Sequence, residues 1–333
     1  MSKGFAVSVI CPVFNTRPQE LRAAVASVLD QDGEGICEIL LVDDGSTDPA
    51  TLATILGLAQ SDARVVALRT TRNGGPALAR NLGLAHATKP WIGFLDSDDL
   101  WLDRLAAAAK LLRHSPDVAW IGGGNMVLGV TGTMTPMRPL DCTSEGGLCT
   151  TPALTRSIIV EGLSLGVNLI RRDRIRDAVP FDPAVLYGED LLFLARLSLD
   201  TPMLHVVAPC YVSRRQHDSM MWSARRLSAR FASGPRAGMR DRRLRAFRRE
   251  YRWALYAVYK DLAVNNLVNR RVLAGLAHAL QAWALDPREL GEFLRYVALV
   301  ATRNRPGLSD RARGYSRCEQ VILDMADQFQ GMR

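Results

Sequence analysis

The sequence predicts an α/β fold: a doubly wound, mostly parallel sheet followed by an α-helical C-terminal region. Three observations predict it. Short apolar, β-branched runs alternate with helical patterns four times within the first hundred residues. Each of the second and fourth runs stops on a cluster of aspartates. Beyond residue 222 the pattern turns to long alternations of Arg with Leu and Ala.

The elements follow in order. Ala6–Pro12 (AVSVICP) reads as a buried strand. Thr16 with Gln19 three residues on has the form of a capping box, and the helix it would open carries Leu21, Val25, Val28 and Leu29 on one face. Glu38–Val42 (EILLV) is the second run, cut off by Asp43-Asp44-Gly45-Ser46. Asp48 before Pro49 is an N-cap with proline at the first helical position. Val65–Leu68 predicts a third strand, and Asn73-Gly74-Gly75-Pro76 a turn into a helix running to Ala87. Trp91–Leu95 (WIGFL) predicts a fourth strand ending on Asp96-Ser97-Asp98-Asp99. Further on, a hairpin is expected around Thr131-Gly132 and a loop over Asp141–Thr151. A helix should open at Gly188-Glu189-Asp190, a strand should cover Met203–Tyr211, and helix stops fall near Pro287 and Pro306.

The 333 residues are 48% hydrophobic, ample for a large core. No apolar run is long enough to span a bilayer, and the Met-Ser-Lys-Gly start leads straight into the first strand, so no signal peptide is expected. Six scattered cysteines, none in a CxxC, exclude a zinc or disulfide framework and point to reduced thiols in a cytoplasm. The net charge of +8 is uneven. Residues 1–222 carry 20 Lys and Arg against 24 Asp and Glu, and residues 223–333 carry 22 against 10. The chemistry shifts near Trp222, which sets the expected division: 1–222 as a site-bearing domain, 223–333 as a basic helical region meeting something anionic.

In parallel sheets of this kind ligands sit at the carboxyl ends of strands, where both aspartate clusters fall. A carboxylate pair such as Asp96 and Asp98 suits a hard divalent cation that also binds substrate phosphates. Taken alone a DxDD at a turn is more often a cap or a solvated loop. Asp43-Asp44 exceeds what a turn needs, and one of them has the chemistry to accept hydrogen bonds from a nucleobase edge. Arg80, in a helix of small residues, fits a structural ion pair or a base or phosphate contact. Glu189-Asp190 fits a helix-start acid pair or a general base. Arg215 and His217 sit two apart in an extended segment, a spacing that lets both face a diphosphate and its metal, although a lone His is usually not a ligand.

The order of these motifs is more specific than any one of them. VSVICPVFN, LLVDDGSTD, the Asn73–Gly83 segment with its Ala79-Arg80-Asn81, FLDSDD, GED and R-x-H occur in that sequence, with Asn168–Arg172 and Phe181-Asp182 as softer landmarks. Together they resemble the inverting family-2 glycosyltransferases with a GT-A fold, a Rossmann-like doubly wound sheet, from about Ala6 to Met221. The resemblance implies that Pro12, Phe14 and Asn15 wall the nucleotide pocket. It places Asp44, Asn73 and Arg80 at the base, uracil in most of the family, Asp96 and Ser97 at the ribose and nearby groups, and Arg215 near the diphosphate. Asp98 and His217 would hold a divalent metal, Mn or Mg, and Asp190 would be the base, with Glu189 orienting sugar or acceptor. The partners implied are a nucleotide-sugar donor and a glycan or lipid-linked acceptor.

The expected function is sugar transfer with inversion, in polysaccharide or cell-surface glycan synthesis. A sugar nucleotidyltransferase is the alternative, but it needs a Gly-rich phosphate loop that Phe14-Asn15-Thr16-Arg17 does not supply. A nucleic-acid-binding role for the basic tail is weaker still, because few aromatics interleave its arginines, and no nucleic acid is expected. The crowded arginines from Arg240 to Arg252, followed by Trp253, suit a peripheral contact with the anionic inner face of a membrane; a solvated basic helix packed on the first domain fits as well.

Overall fold

The computed structural model of the chain describes residues 5–31, 36–129, 131–137, 140–141, 146–214, 229–268 and 271–286. Four parallel strands and the helices between them form its first half: β1 (Ala6–Val13), α1 (Pro18–Leu29), β2 (Ile36–Asp43), α2 (Pro49–Ser61), β3 (Val65–Arg69), α3 (Gly75–His86) and β4 (Trp91–Phe94). The second half adds β5 (Leu100–Trp101), α4 (Leu105–His114), β6 (Trp120–Leu128), β7 (Met134–Pro136), β8 (Gly147–Cys149), α5 (Ala153–Val160), β9 (Asn168–Arg171), α6 (Glu189–Leu197) and β10 (Met203–Arg214). Three helices close the described chain: α7 (Ser233–Arg240), α8 (Arg248–Val268) and α9 (Val272–Leu285).

The strands make one sheet in the order β3-β2-β1-β4-β9-β6-β10-β5, with β7 beside β6 and β8 beside β10. Six strands, β3, β2, β1, β4, β6 and β10, run the same way, the first four as the alternating pattern predicts. β5, β7 and β8 run against them at the margins, and β9 does so in the middle, antiparallel to both β4 and β6. The Trp120 indole donates to Asn168 Oδ1 at 2.7 Å and fixes that junction.

Both faces of the sheet are covered at its centre, where β1 and β4 are buried along nearly their whole length. On β1, Val7, Val9, Cys11 and Val13 face one core with Leu21, Val25 and Val28 of α1, while Ile10 faces a second core with Phe94, Phe181 and Phe193. Those three rings pack with centroids 4.6–6.2 Å apart, a geometry that adds to their burial energy.

Asp48 caps α2 by accepting from the Ala50 and Thr51 amides. The hairpin at Thr131-Gly132 joins β6 to β7, with Gly132 at φ +81. Two expectations need correction. Thr16 does not cap α1: Arg17 occupies the cap position with no side-chain bond, because Pro18 already removes one orphan amide. The Thr16 hydroxyl instead bonds Ser97 Oγ at 2.6 Å. Within the Asp141–Thr151 stretch, Gly147–Cys149 forms an edge strand on β10. Packing runs across the change of charge near residue 222. Leu244, Phe247 and Tyr251 are buried in the same core as Phe181 and Leu194, and Arg196 pairs with Asp241 at 2.6 Å. The helix stop near Pro287 agrees with α9 ending at Leu285; Pro306 lies outside the described residues.

Candidate active site

The register of the parallel strands brings three sequence motifs to one edge. Val13 pairs with Asp43 at the ends of β1 and β2, and Ile10 pairs with Phe94, so the segments after β1, β2 and β4 emerge together. The first segment ties the second. Asn15 takes the left-handed conformation, φ +48, which asparagine tolerates. Its side-chain oxygen accepts from the Thr47 and Asp48 amides at 2.8 and 2.9 Å, and its own amide donates to Ser46 Oγ. Pro12 is half-buried at the end of β1, and Phe14 is 51% exposed above it.

Asp43 and Asp44 are both buried. Asp43 accepts from the Ser46 amide and lies 2.9 Å from Arg69. Asp44 accepts from Thr70 Oγ1 at 3.1 Å, from the Gly74 amide at 3.1 Å and from the Gly75 amide at 2.7 Å. A carboxylate has about four acceptor sites, so most of its capacity goes to the turn that enters α3. Asp44 thereby shapes the wall on which Asn73, exposed beside it, is carried. The sequence offered no sign of this turn-holding role.

The DSDD segment after β4 is a knot of like charge. Asp99 is held by the Tyr211 hydroxyl at 2.9 Å and the Arg214 amide at 2.7 Å, and the Asp96 amide donates to the same Tyr211 oxygen at 3.2 Å. The Arg214 guanidinium bonds the Asp98 carbonyl. Burial, then the neighbouring Asp96, raises the Asp98 carboxyl to about 6. Burial, Asp96 and Asp98 raise Asp99 as well. Cys11 beneath them is pushed up by burial and by the same three aspartates. Tyr211 and Arg214 were missed from the sequence, since nothing in their spacing marks them.

Across from this segment, α6 begins with the acidic pair. Gly188 caps it in the left-handed conformation, and Glu189 and Asp190 occupy the first turn. Arg80 joins the two segments. One guanidinium nitrogen donates to Glu189 at 2.7 Å and the other to Asp96 at 3.1 Å. Arg80 and Glu189 are each under 10% exposed, whereas Asp96 is 53% exposed. The Arg80 guanidinium also lies 5.6 Å from the Phe181 ring, which Asn81 fixes through two backbone bonds. Burial works against the Arg80 charge, but Asp96, Glu189 and Asp190 outweigh it and hold the group protonated. Arg80 thus makes the ion pair that its helix of small residues allowed for, with Glu189 as its buried counter-ion. Asp190 is half-buried and accepts from the Leu191 amide at 2.8 Å. Burial and Glu189 raise its carboxyl to about 6, against a lowering by Arg80.

The donor set at this edge fits a hard divalent cation. Its atoms are carboxylate oxygens, and mutual repulsion among Asp96, Asp98 and Asp99 is what a dication relieves. Asp99 accepts from Tyr211 and Arg214, Asp96 accepts from Arg80 and is 53% exposed, and Asp98 is half-buried beside them. Among the described residues no group of three His, Cys, Asp or Glu side chains forms a complete ligand set, so phosphate oxygens would have to complete one. Arg215 and His217 lie outside the described residues.

The model of glycosyl transferase family 2 matches residues 8–173, the part that carries every strand of this edge except β10. The chain belongs to this glycosyltransferase family. It is 28% identical over 224 residues to the minor teichoic acid biosynthesis protein GgaA of Bacillus subtilis, covering 64% of this chain and 48% of that one. It spans about half the length, or less, of the curated relatives it matches. Its fold is similar to that of TarS residues 1–349 from S. aureus in complex with UDP-GlcNAc, with a TM-score of 0.58 at 17% identity over 93% of this chain and 95% of that one. It is similar also to the mannosyltransferase PcManGT from Pyrobaculum calidifontis in complex with GDP-Man and Mn2+, with a TM-score of 0.52 at 20% identity over 91% and 88%. The family-2 chain thus has the GT-A fold, with helices following the sheet.

Proposed function

We propose that this protein transfers a sugar from a nucleotide-diphosphate donor to an acceptor hydroxyl in one inverting displacement, as a step in the synthesis of a cell-surface polysaccharide. The observation that carries the reading is the Asp96–Arg80–Glu189 bridge, which fastens the strand-end aspartates to the helix start bearing Asp190. A donor lying along the strand ends then presents its anomeric carbon toward Asp190. Asp190 takes the proton of the attacking hydroxyl, and a carboxyl raised to about 6 has the basicity for that at neutral pH. Asp98, with Asp96, would hold a Mn or Mg ion, whose chemistry is to neutralise the leaving diphosphate. Pro12, Phe14 and Asn73 line the place left for the base.

Uracil is the base we favour. The solved relative of higher TM-score was captured with UDP-GlcNAc, while the other was captured with GDP-Man and Mn2+. A thermal-shift panel of UDP, GDP and dTDP, each with and without Mn, tests this. We expect a large, metal-dependent rise with UDP. Equal small shifts for all three, unaffected by Mn, would overturn it.

We propose further that the enzyme acts at the inner face of a membrane on a glycan or lipid-linked acceptor. No helix among the described residues is long and apolar enough to cross one. Arg240, Arg242, Arg245, Arg249 and Arg252 are exposed around the start of α8, beside a 40% exposed Trp253. On α9, Leu273, Leu276, Leu280 and Trp283 are exposed at helical spacing. Basic groups with apolar anchors suit an anionic lipid interface. Replacing those five arginines with glutamine in the full chain should abolish low-salt sedimentation with anionic vesicles; unchanged sedimentation refutes the contact.

A further inference from the structure

The loop that carries the acidic pair is gripped from a second side, by the chain beyond the charge boundary. The ring of Tyr187 lies against Phe231, centroids 4.0 Å apart. The Tyr187 amide donates to Ser233 Oγ at 3.0 Å. The single proton of that hydroxyl is within reach of the Tyr187 carbonyl at 3.2 Å and the Arg230 carbonyl at 2.6 Å. The next residue, Gly234, is buried. A Cβ there would stand 2.7 Å from the Tyr187 oxygen and 3.2 Å from Gly188 Cα, closer than backbone atoms tolerate. Only glycine lets α7 lie this close.

What α7 touches is the hinge of the catalytic turn. Gly188 is at φ +79 and caps α6, so its two peptide planes set where the first turn of that helix points. Glu189 and Asp190 are that first turn. Arg80 fixes Glu189 from the sheet side, and Ser233 and Gly234 fix Tyr187 and Gly188 from the opposite side.

We propose that Ser233 and Gly234 are positioning residues of the transfer reaction, so that the C-terminal helical region is part of the catalytic centre. The proposal rests on the assignment of Asp190 as the base. A base must lie within about 3 Å of the hydroxyl it serves, and displacement by about 1 Å costs on the order of 100-fold in rate. Donor binding, made by the strand ends, does not pass through this contact.

The test compares Gly234→Ala, Ser233→Ala and Ser233→Thr in the full chain, with Asp190→Asn alongside. Three quantities are read: folding by circular dichroism, UDP affinity with Mn by calorimetry, and UDP release from UDP-GlcNAc or GDP release from GDP-mannose, whichever donor binds. We expect Gly234→Ala and Ser233→Ala to lose on the order of 10-fold or more in kcat with unchanged nucleotide affinity, and Ser233→Thr, which keeps the hydroxyl, to recover most of the rate. Should Gly234→Ala fail to fold, Ser233→Ala and its threonine rescue decide alone. Wild-type kcat in folded Ser233→Ala, or a parallel fall in kcat and nucleotide affinity, overturns the proposal. If Asp190→Asn is inactive while both α7 variants turn over normally, only the positioning role falls. If Asp190→Asn is itself active, the base assignment falls.

Discussion

Arg80 and Glu189, 109 residues apart in the chain, form an ion pair 2.7 Å long in which each side chain is under 10% exposed. A buried pair of this kind is costly to break from one side, because the remaining charge has no solvent to turn to. The pair therefore fixes geometry more than it adds stability, and it fixes α6 to the end of β4 through Asp96.

Arg80→Met should destabilise the protein by about 3–5 kcal/mol, leaving Glu189 buried and unpaired. The double variant Arg80→Met, Glu189→Leu should recover a large part of that loss while remaining poor in turnover, since the link to Asp96 is gone. Urea unfolding of the two variants measures this. Equal stability of single and double variants would show that the pair is not electrically coupled.

Asp44 offers a different prediction. Its carboxylate satisfies the amides of Gly74 and Gly75 and the hydroxyl of Thr70. Asp44→Ala leaves the Gly74 and Gly75 amides without this acceptor, at about 1–3 kcal/mol for each buried group left unpaired, while the Thr70 hydroxyl keeps the Arg72 carbonyl at 2.7 Å. Thermal melting should show a clear loss even with no nucleotide present. If stability is unchanged and only UDP binding falls, the carboxylate serves the nucleotide directly and the turn does not depend on it.

Much of the fold was legible because its pattern is local. The four parallel strands, the Asp48 cap and the helix at Gly188 follow from apolar runs and their punctuation. The antiparallel β9 was not legible, since Asn168–Arg171 reads the same in either direction. At the site, the sequence singled out the carboxylates but not which of them are spent. Asp44, Asp99 and Glu189 are all engaged by partners distant in the chain, namely the turn at Gly74, Tyr211 and Arg80, and no spacing rule encodes such contacts. The charge boundary near residue 222 carries no information on packing. Composition reports what faces solvent, whereas Leu244, Phe247 and Tyr251 face the core.

Metal binding should depend on Asp98. Asp98→Ala removes a half-buried carboxylate whose pKa is raised by burial and by Asp96. Calorimetric UDP affinity in the presence of Mn should fall at least tenfold, and the gain from adding Mn should disappear. An affinity that still rises on adding Mn would place the ion elsewhere.

The rate should also carry the titration of Asp190. A base acts only when deprotonated, and burial with Glu189 beside it raises this carboxyl to about 6. With donor saturating, kcat should be near its plateau above pH 7 and fall about tenfold per unit well below pH 6. A profile flat from pH 7.5 down to pH 4.5 would contradict this.

The central claim is that Asp190 is the base and the strand ends hold the donor. Asp190→Asn keeps the shape of the side chain and its bond from the Leu191 amide but cannot accept the proton. The decisive measurement is kcat and nucleotide affinity on the same preparation of that variant. We expect a loss on the order of 100-fold or more in kcat with UDP affinity in Mn unchanged. Near-normal turnover, or turnover and affinity lost together, would contradict it.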